Sequence, residues 1–213
     1  MLQIFIVGSS SAYGVGAETA GWGDLVKQHM HGLMYGSDGV GEKCEVYNFT
    51  KSGATIGFVK NTFPEQLKQY GRDVETMVIV SAGGNNSKAE GTPNNFVSTP
   101  KEFEEEMRDL LKALKNSSDK VLYVTGGFVD ESKTNPKPNP LTGGKSYFSN
   151  ERRKQFSTIT RKLCEELRVT YVGLDVDKDK WIQNYLYVDG LHPNQAGHEL
   201  IFQNIKPHLP ELS

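Results

Sequence analysis

Two rhythms of apolar and polar positions alternate along this chain. Residues 2–7, LQIFIV, form a short apolar run that closes on Gly8, the pattern of a buried strand. After a Gly/Ser turn, Trp22, Leu25, Val26, Met30, Leu33 and Met34 recur at the spacing of one helical face. Residues 44–49 predict a second strand. Ile56, Val59, Phe63 and Leu67 predict another helix, interrupted near Pro64 because proline lacks the donor a helix interior needs. Residues 77–81 predict a third strand, ending in Gly83-Gly84-Asn85-Asn86. Thr99-Pro100-Lys101-Glu102 is a helix start: threonine caps, proline suits the first turn and glutamate reaches back. Phe103, Met107, Leu110, Leu111 and Leu114 mark that helix's buried face. Residues 121–125 predict strand four. Asn150 is placed to cap a helix carrying Phe156, Ile159, Leu163 and Leu167, and residues 170–174 predict strand five. A last helix is expected from about Asn194 to Lys206, stopped by Pro207.

Strands alternating with helices imply a parallel sheet covered on both faces. Right-handed crossovers make a doubly wound, three-layer α/β/α sandwich with a central parallel sheet of about five strands the expected fold. The 213 residues suit a single domain over 1–213, with neither an internal repeat nor a linker. The segment 130–149 stands apart. It is rich in Pro, Gly, Asn and Lys and reads as a long loop, functional or disordered.

Composition narrows the function classes. The net charge is −2 and no basic stripe appears, so nucleic acid is not an expected partner. No apolar run approaches the roughly 18 residues of a membrane span. The opening apolar run is too short for a signal-peptide core and lacks a basic start, so a cytoplasmic location is expected. The two cysteines, Cys44 and Cys164, sit in apolar-periodic surroundings and read as buried free thiols. Zinc spacings are absent; His29 and His31, two apart on a helix, point to different faces, and His198 reads as structural or exposed. Gly14-x-Gly16 after a strand hints at a dinucleotide turn, but the third glycine is out of register and strand two ends without an acidic residue. The sequence implies no metal and no organic cofactor. Oligomeric state leaves no mark in it.

Open α/β sheets bind ligands beyond the carboxyl ends of their strands. The Ser9-Ser10-Ser11 run follows strand one, Ser52-Gly53 follows strand two, Asn85 follows strand three, and Asp189 and His192 precede the last helix. All four segments are able to converge on one edge. Four blocks carry a resemblance: Gly8-Ser9-Ser10-Ser11, Asn48-Phe49-Thr50-Lys51-Ser52-Gly53-Ala54-Thr55, Gly84-Asn85-Asn86 and Asp189-Gly190-Leu191-His192-Pro193-Asn194. In this order, over nearly the full length, they resemble the SGNH hydrolases of the GDSL esterase and lipase superfamily.

That resemblance implies the flavodoxin-like SGNH fold and a small-molecule ester substrate. It implies Ser10 as nucleophile, His192 as general base and Asp189 as the carboxylate that orients it. A serine hydroxyl attacks poorly unless a base removes its proton, and a carboxylate beside the imidazole fixes its tautomer. Pro193 biases His192 toward extended backbone. The resemblance also implies an oxyanion hole from the backbone N–H groups of Ser10 and Gly53 and the side-chain amide of Asn85. Two positions depart from the family pattern. Ser9 replaces an aspartate, where a serine is expected to cap local N–H groups, and Asn86 replaces another, where a supporting hydrogen bond is expected to change.

The expected reaction is hydrolysis of a short-chain or acetyl ester, with the alcohol on a carbohydrate as one option. Tyr147 and Phe148 are candidates for an apolar lip at the cleft. Two other readings stand beside this one: a non-catalytic glycan-binding module, and an acyltransferase that passes the acyl group to a sugar.

Overall fold

The computed structural model describes residues 1–140 and 142–212. In chain order the elements are β1 (Leu2–Gly8), α1 (Ser10–Tyr13), α2 (Trp22–Leu33), β2 (Cys44–Asn48), α3 (Ile56–Tyr70), β3 (Glu75–Ser81), β4 (Ala89–Glu90) and α4 (Pro100–Asn116). There follow β5 (Lys120–Val124), α5 (Glu131–Thr134), β6 (Lys137–Pro138), β7 (Lys145–Tyr147), α6 (Asn150–Leu167), β8 (Thr170–Val172), α7 (Lys178–Asn184) and α8 (Gln195–Ile205).

The main sheet has five strands in the order β2-β1-β3-β5-β8, every pair parallel. Its period of two sorts the core. Ile4 and Ile6 of β1 face one way, into a cluster with Trp22, Val26 and Met30 of α2 and Ile201 and Ile205 of α8. Phe5 and Val7 face the other way, against Val59 and Phe63 of α3, Met107 of α4 and Phe156 of α6. The result is the three-layer sandwich the patterning predicts. The chain leaves β1 for β2 on one side and for β3 on the other, so the order reverses at β1. The crevice at such a reversal is where an open sheet has room for a ligand.

Several boundaries and elements differ from expectation. Helix α3 runs straight through Pro64. Proline deletes one backbone bond, but Ile56, Val59 and Phe63 bury one face of the helix, and Phe63 packs edge-on to Phe5 at 5.9 Å. Tertiary burial outweighs the local penalty. Leu33 is exposed, because the apolar stripe of α2 outlasts the surface it packs on. Helix α8 ends at Ile205, and Pro207 lies inside a 3₁₀ turn, Lys206–His208, that follows it. The segment 130–149, of which residue 141 lies outside the described residues, carries three short elements, α5, β6 and β7. Asp130 caps α5 through Ser132 N–H, and β6 and β7 join β4 in a second, three-stranded sheet. Its strands are two or three residues long, too short for a periodic pattern to register. Among the described residues no helix is long and apolar enough to cross a membrane.

Candidate active site

The site begins with Gly8. Its φ of +147° lies in a region L side chains rarely adopt, and a Cβ there would stand 2.1 Å from Ser81 O. Glycine thus lets β1 end flush against β3. Ser9 N–H donates to Ser81 O at 3.0 Å, and Lys51 N–H donates to Gly8 O at 3.0 Å. The turn is therefore pinned to both neighbouring strands. Ser10 then opens α1, a single turn closed by Gly14 in the left-handed region.

The other half comes from the stretch before α8. Asp189 Oδ1 accepts the N–H of Leu191 at 2.9 Å and of His192 at 3.0 Å, folding the loop around the carboxylate. Gly190, at φ +74°, makes the turn. Asn194 caps α8 by accepting Gly197 N–H at 2.9 Å. Gly16 allows the loop after α1 to press against this stretch, for a Cβ on it would lie 2.2 Å from Pro193 O.

These two halves bring Ser10, His192 and Asp189 into line. His192 Nε2 is 2.8 Å from Ser10 Oγ, and His192 Nδ1 is 2.6 Å from Asp189 Oδ2. Burial pushes the Asp189 carboxyl up, but hydrogen bonds from the His192 ring and from the His192 and Leu191 N–H groups outweigh it and hold the carboxyl well below the usual range. An ionised carboxylate only accepts, so Nδ1 carries the proton and Nε2 presents its lone pair to the serine hydroxyl. This is the geometry general-base activation of a hydroxyl requires.

Nothing in the sequence singles out Lys137. Its Nζ donates to Asp189 O at 2.6 Å and lies 3.4 Å from Asp189 Oδ2. The second sheet thereby anchors the aspartate, with Lys137 and His192 both facing Oδ2. A lone lysine in a Pro/Asn-rich segment carries no signal of that contact, which is 52 residues distant in sequence.

Asn85 donates one side-chain N–H to Ala54 O at 2.9 Å and lines the same cleft as Ser10 and His192; its second N–H meets no acceptor among the described residues. Gly53 is exposed on the loop after β2, at φ +81°. Among the described residues no acceptor meets the backbone N–H of Ser10 or Gly53. Ser9 lines the cleft, and its hydroxyl makes no capping bond to α1, contrary to expectation. Asn86 does make the altered support. It accepts Ile56 N–H at 3.0 Å and donates to Ser98 Oγ at 3.1 Å and Glu106 Oε2 at 3.4 Å.

The profile of the GDSL-like Lipase/Acylhydrolase family matches residues 6–200. The chain belongs to that family. It is an SGNH-type hydrolase, and the solved structures similar to it share its fold. The lipase/acylhydrolase from Enterococcus faecalis is 18% identical, with a TM-score of 0.70 over 99% of this chain and 98% of that one. Axe2, an acetylxylan esterase from Geobacillus stearothermophilus, is 16% identical, with a TM-score of 0.68 over 96% and 92%. TesA is 18% identical, with a TM-score of 0.65 over 96% of each chain. A search of curated protein sequences finds no match.

In this GDSL-like hydrolase the remaining candidates lie apart from the Ser10–His192–Asp189 line. Phe148 is buried and lines the cleft, whereas Tyr147 pairs with Ala89 in the second sheet and does not. His198 is fully buried, accepting Trp22 N–H at Nδ1 (3.3 Å) and donating from Nε2 to Val15 O (3.1 Å). Burial lowers its pKa, so it braces the loop behind α1 as a neutral ring. His29 packs edge-on to Phe202. Both cysteines are buried free thiols; burial pushes Cys44 up to about 11 and Cys164 up to about 12. No group of three or more His, Cys, Asp or Glu among the described residues is arranged to hold a metal.

Proposed function

We propose that the protein is a serine esterase that cleaves short-chain or acetyl carboxylic esters through an acyl-enzyme. The unbroken relay from Ser10 Oγ through His192 to Asp189, at 2.8 and 2.6 Å, carries this reading. Ser10 Oγ bonds to the ester carbonyl carbon as His192 Nε2 takes the hydroxyl proton. Asp189 stabilises the imidazolium that forms. The N–H groups of Ser10 and Gly53 and the free N–H of Asn85 are the donors for the tetrahedral oxyanion. Collapse breaks the bond to the alkoxide oxygen, and the proton on His192 leaves with the alcohol. A water then gives a proton to His192, adds to the acyl carbon, and the returning proton restores Ser10. One ester and one water become one acid and one alcohol.

The cleft favours a short acyl group. Its volume is about 100 Å³, several times what one water needs. The family membership and the likeness to an acetylxylan esterase support this assignment. The test is release of p-nitrophenol from p-nitrophenyl acetate by the wild type and by Ser10→Ala. Turnover that falls to the buffer rate in the variant is expected, together with loss of fluorophosphonate labelling. Labelling on another residue, or equal rates for both proteins, overturns the reading.

A further inference from the structure

The cleft does not stop at Ser10. It continues inward along the carboxyl ends of β3 and β5 to Arg153 of α6, and none of the residues lining it is acidic. Arg153 donates from Nη2 and Nε to a single acceptor, Gly127 O, at 2.7 and 3.2 Å. Its Nη1 has no acceptor among the described residues, and the guanidinium makes no salt bridge there. A cation partly removed from water with no counter-charge is costly. Burial pulls its pKa down, yet a guanidinium stays protonated.

The surroundings are built to admit this group. A Cβ on Gly84 would stand 3.2 Å from Arg153 Nη1, and one on Gly126 would stand 2.8 Å from Nη2. Neither glycine has the positive φ that demands glycine for backbone reasons. What they supply is space, one at the end of β3 and one beyond β5. Arg153 also lies near the start of α6, where the helix dipole opposes a cation and favours an anion. A guanidinium without a counter-ion, set at that place and facing a cavity, lacks one thing: an anion delivered by the ligand. Arg152, its neighbour, differs. It is satisfied by Ser87 O and Ser98 O and stacks on Phe96 at 3.7 Å.

We propose that Arg153 is an anion subsite at the inner end of the cleft, and that the preferred acyl group is short and ends in a carboxylate, as in a half-ester of a dicarboxylic acid. The proposal rests on Ser10 being the nucleophile. The order of events places the anion on the acyl side. The alcohol departs first and the deacylating water enters after it, so both need the open end of the cleft. The acyl group stays on Ser10 throughout and suits the closed end. Arg153 is then a residue that binds substrate and sets specificity, with a planar fork matched to a carboxylate.

The experiment compares hydrolysis of monomethyl succinate and methyl butyrate, following methanol by NMR. Wild type is expected to favour the anionic ester in kcat/KM by about tenfold or more, near the span of one charge-assisted contact. In Arg153→Met that ratio is expected to fall about tenfold, and Arg153→Lys to keep part of it. Because each ratio is taken within one protein, a loss of folded material cancels. Calorimetry with succinate on Ser10→Ala and on Ser10→Ala/Arg153→Met separates this proposal from the proposed activity. Binding by the first and not the second supports the subsite whatever the turnover. A wild-type ratio of one or less, a ratio unmoved in Arg153→Met, or no succinate binding to Ser10→Ala overturns it, while p-nitrophenyl acetate turnover lost in Ser10→Ala leaves the esterase reading standing.

Discussion

Asn86 explains its own departure from the family pattern. It sits beside Glu106, and its amide both accepts Ile56 N–H and donates toward Ser98 and the Glu106 carboxylate. An aspartate would keep the first bond, lose both donations and face a second carboxylate. The residue at 86 and the residue at 106 are thus matched across 20 positions, and that match appears in no local motif. Asn86→Asp is expected to destabilise the protein by about 1–3 kcal/mol, the cost of a lost buried bond plus like-charge repulsion. Urea denaturation at neutral pH measures it, and Glu106→Gln in the same background should recover part of the loss. Ser10, Asp189 and His192 were legible at this scale as candidates because each sits in a short motif block. Lys137 and Arg153 were not, since a lone basic residue looks the same on paper whether it is solvated or aimed at a site.

Among the elements, α4 shows how far local chemistry can specify structure. Thr99 Oγ1 accepts Glu102 N–H at 3.3 Å, and Glu102 Oε2 accepts Thr99 N–H at 2.8 Å, the reciprocal box the sequence predicts. Thr99→Ala is expected to cost about 0.5–2 kcal/mol, read as a lowered urea midpoint with an unchanged slope. Helix α3 shows the limit of the same reasoning. Pro64 signals a break, and burial of Val59 and Phe63 overrides it. The second sheet, β4-β7-β6, shows another limit. Strands of two or three residues leave no alternation to detect, and β4 finds its partner β7 more than 50 residues away. It is this small sheet that holds Lys137 against Asp189.

At the scale of the molecule, charge ties the β1–β2 edge to the end of α3. Glu45 accepts Arg72 Nε at 2.9 Å and Gln3 Nε2 at 2.9 Å. The Arg72 hydrogen bond, opposed by burial and helped by Gln3, Lys43 and Tyr47, lowers the Glu45 carboxyl from 4.5 to about 2. The folded form therefore binds fewer protons than the unfolded form between those values. The stability this supplies is fully present above pH 4.5 and is lost as pH falls toward about 2. Glu45→Gln should accordingly lower stability near neutral pH and converge on the wild type near pH ~2, as denaturant titrations across that range would show. The exposure of Arg72 keeps the effect modest and sensitive to salt.

By itself the sequence determined the alternation of strands and helices, the cap of α4 and the motif blocks that hold Ser10, Asp189, His192 and Asn85. All of these rest on interactions within a few residues, or on motif blocks that carry their meaning wherever they fold. Only the tertiary structure decided that Asn86 answers Glu106, that Lys137 braces the aspartate, and that the cleft runs on to Arg153. Those facts depend on which distant segments share a space. Hydrophobic burial sets that arrangement collectively, and no window along the chain contains it.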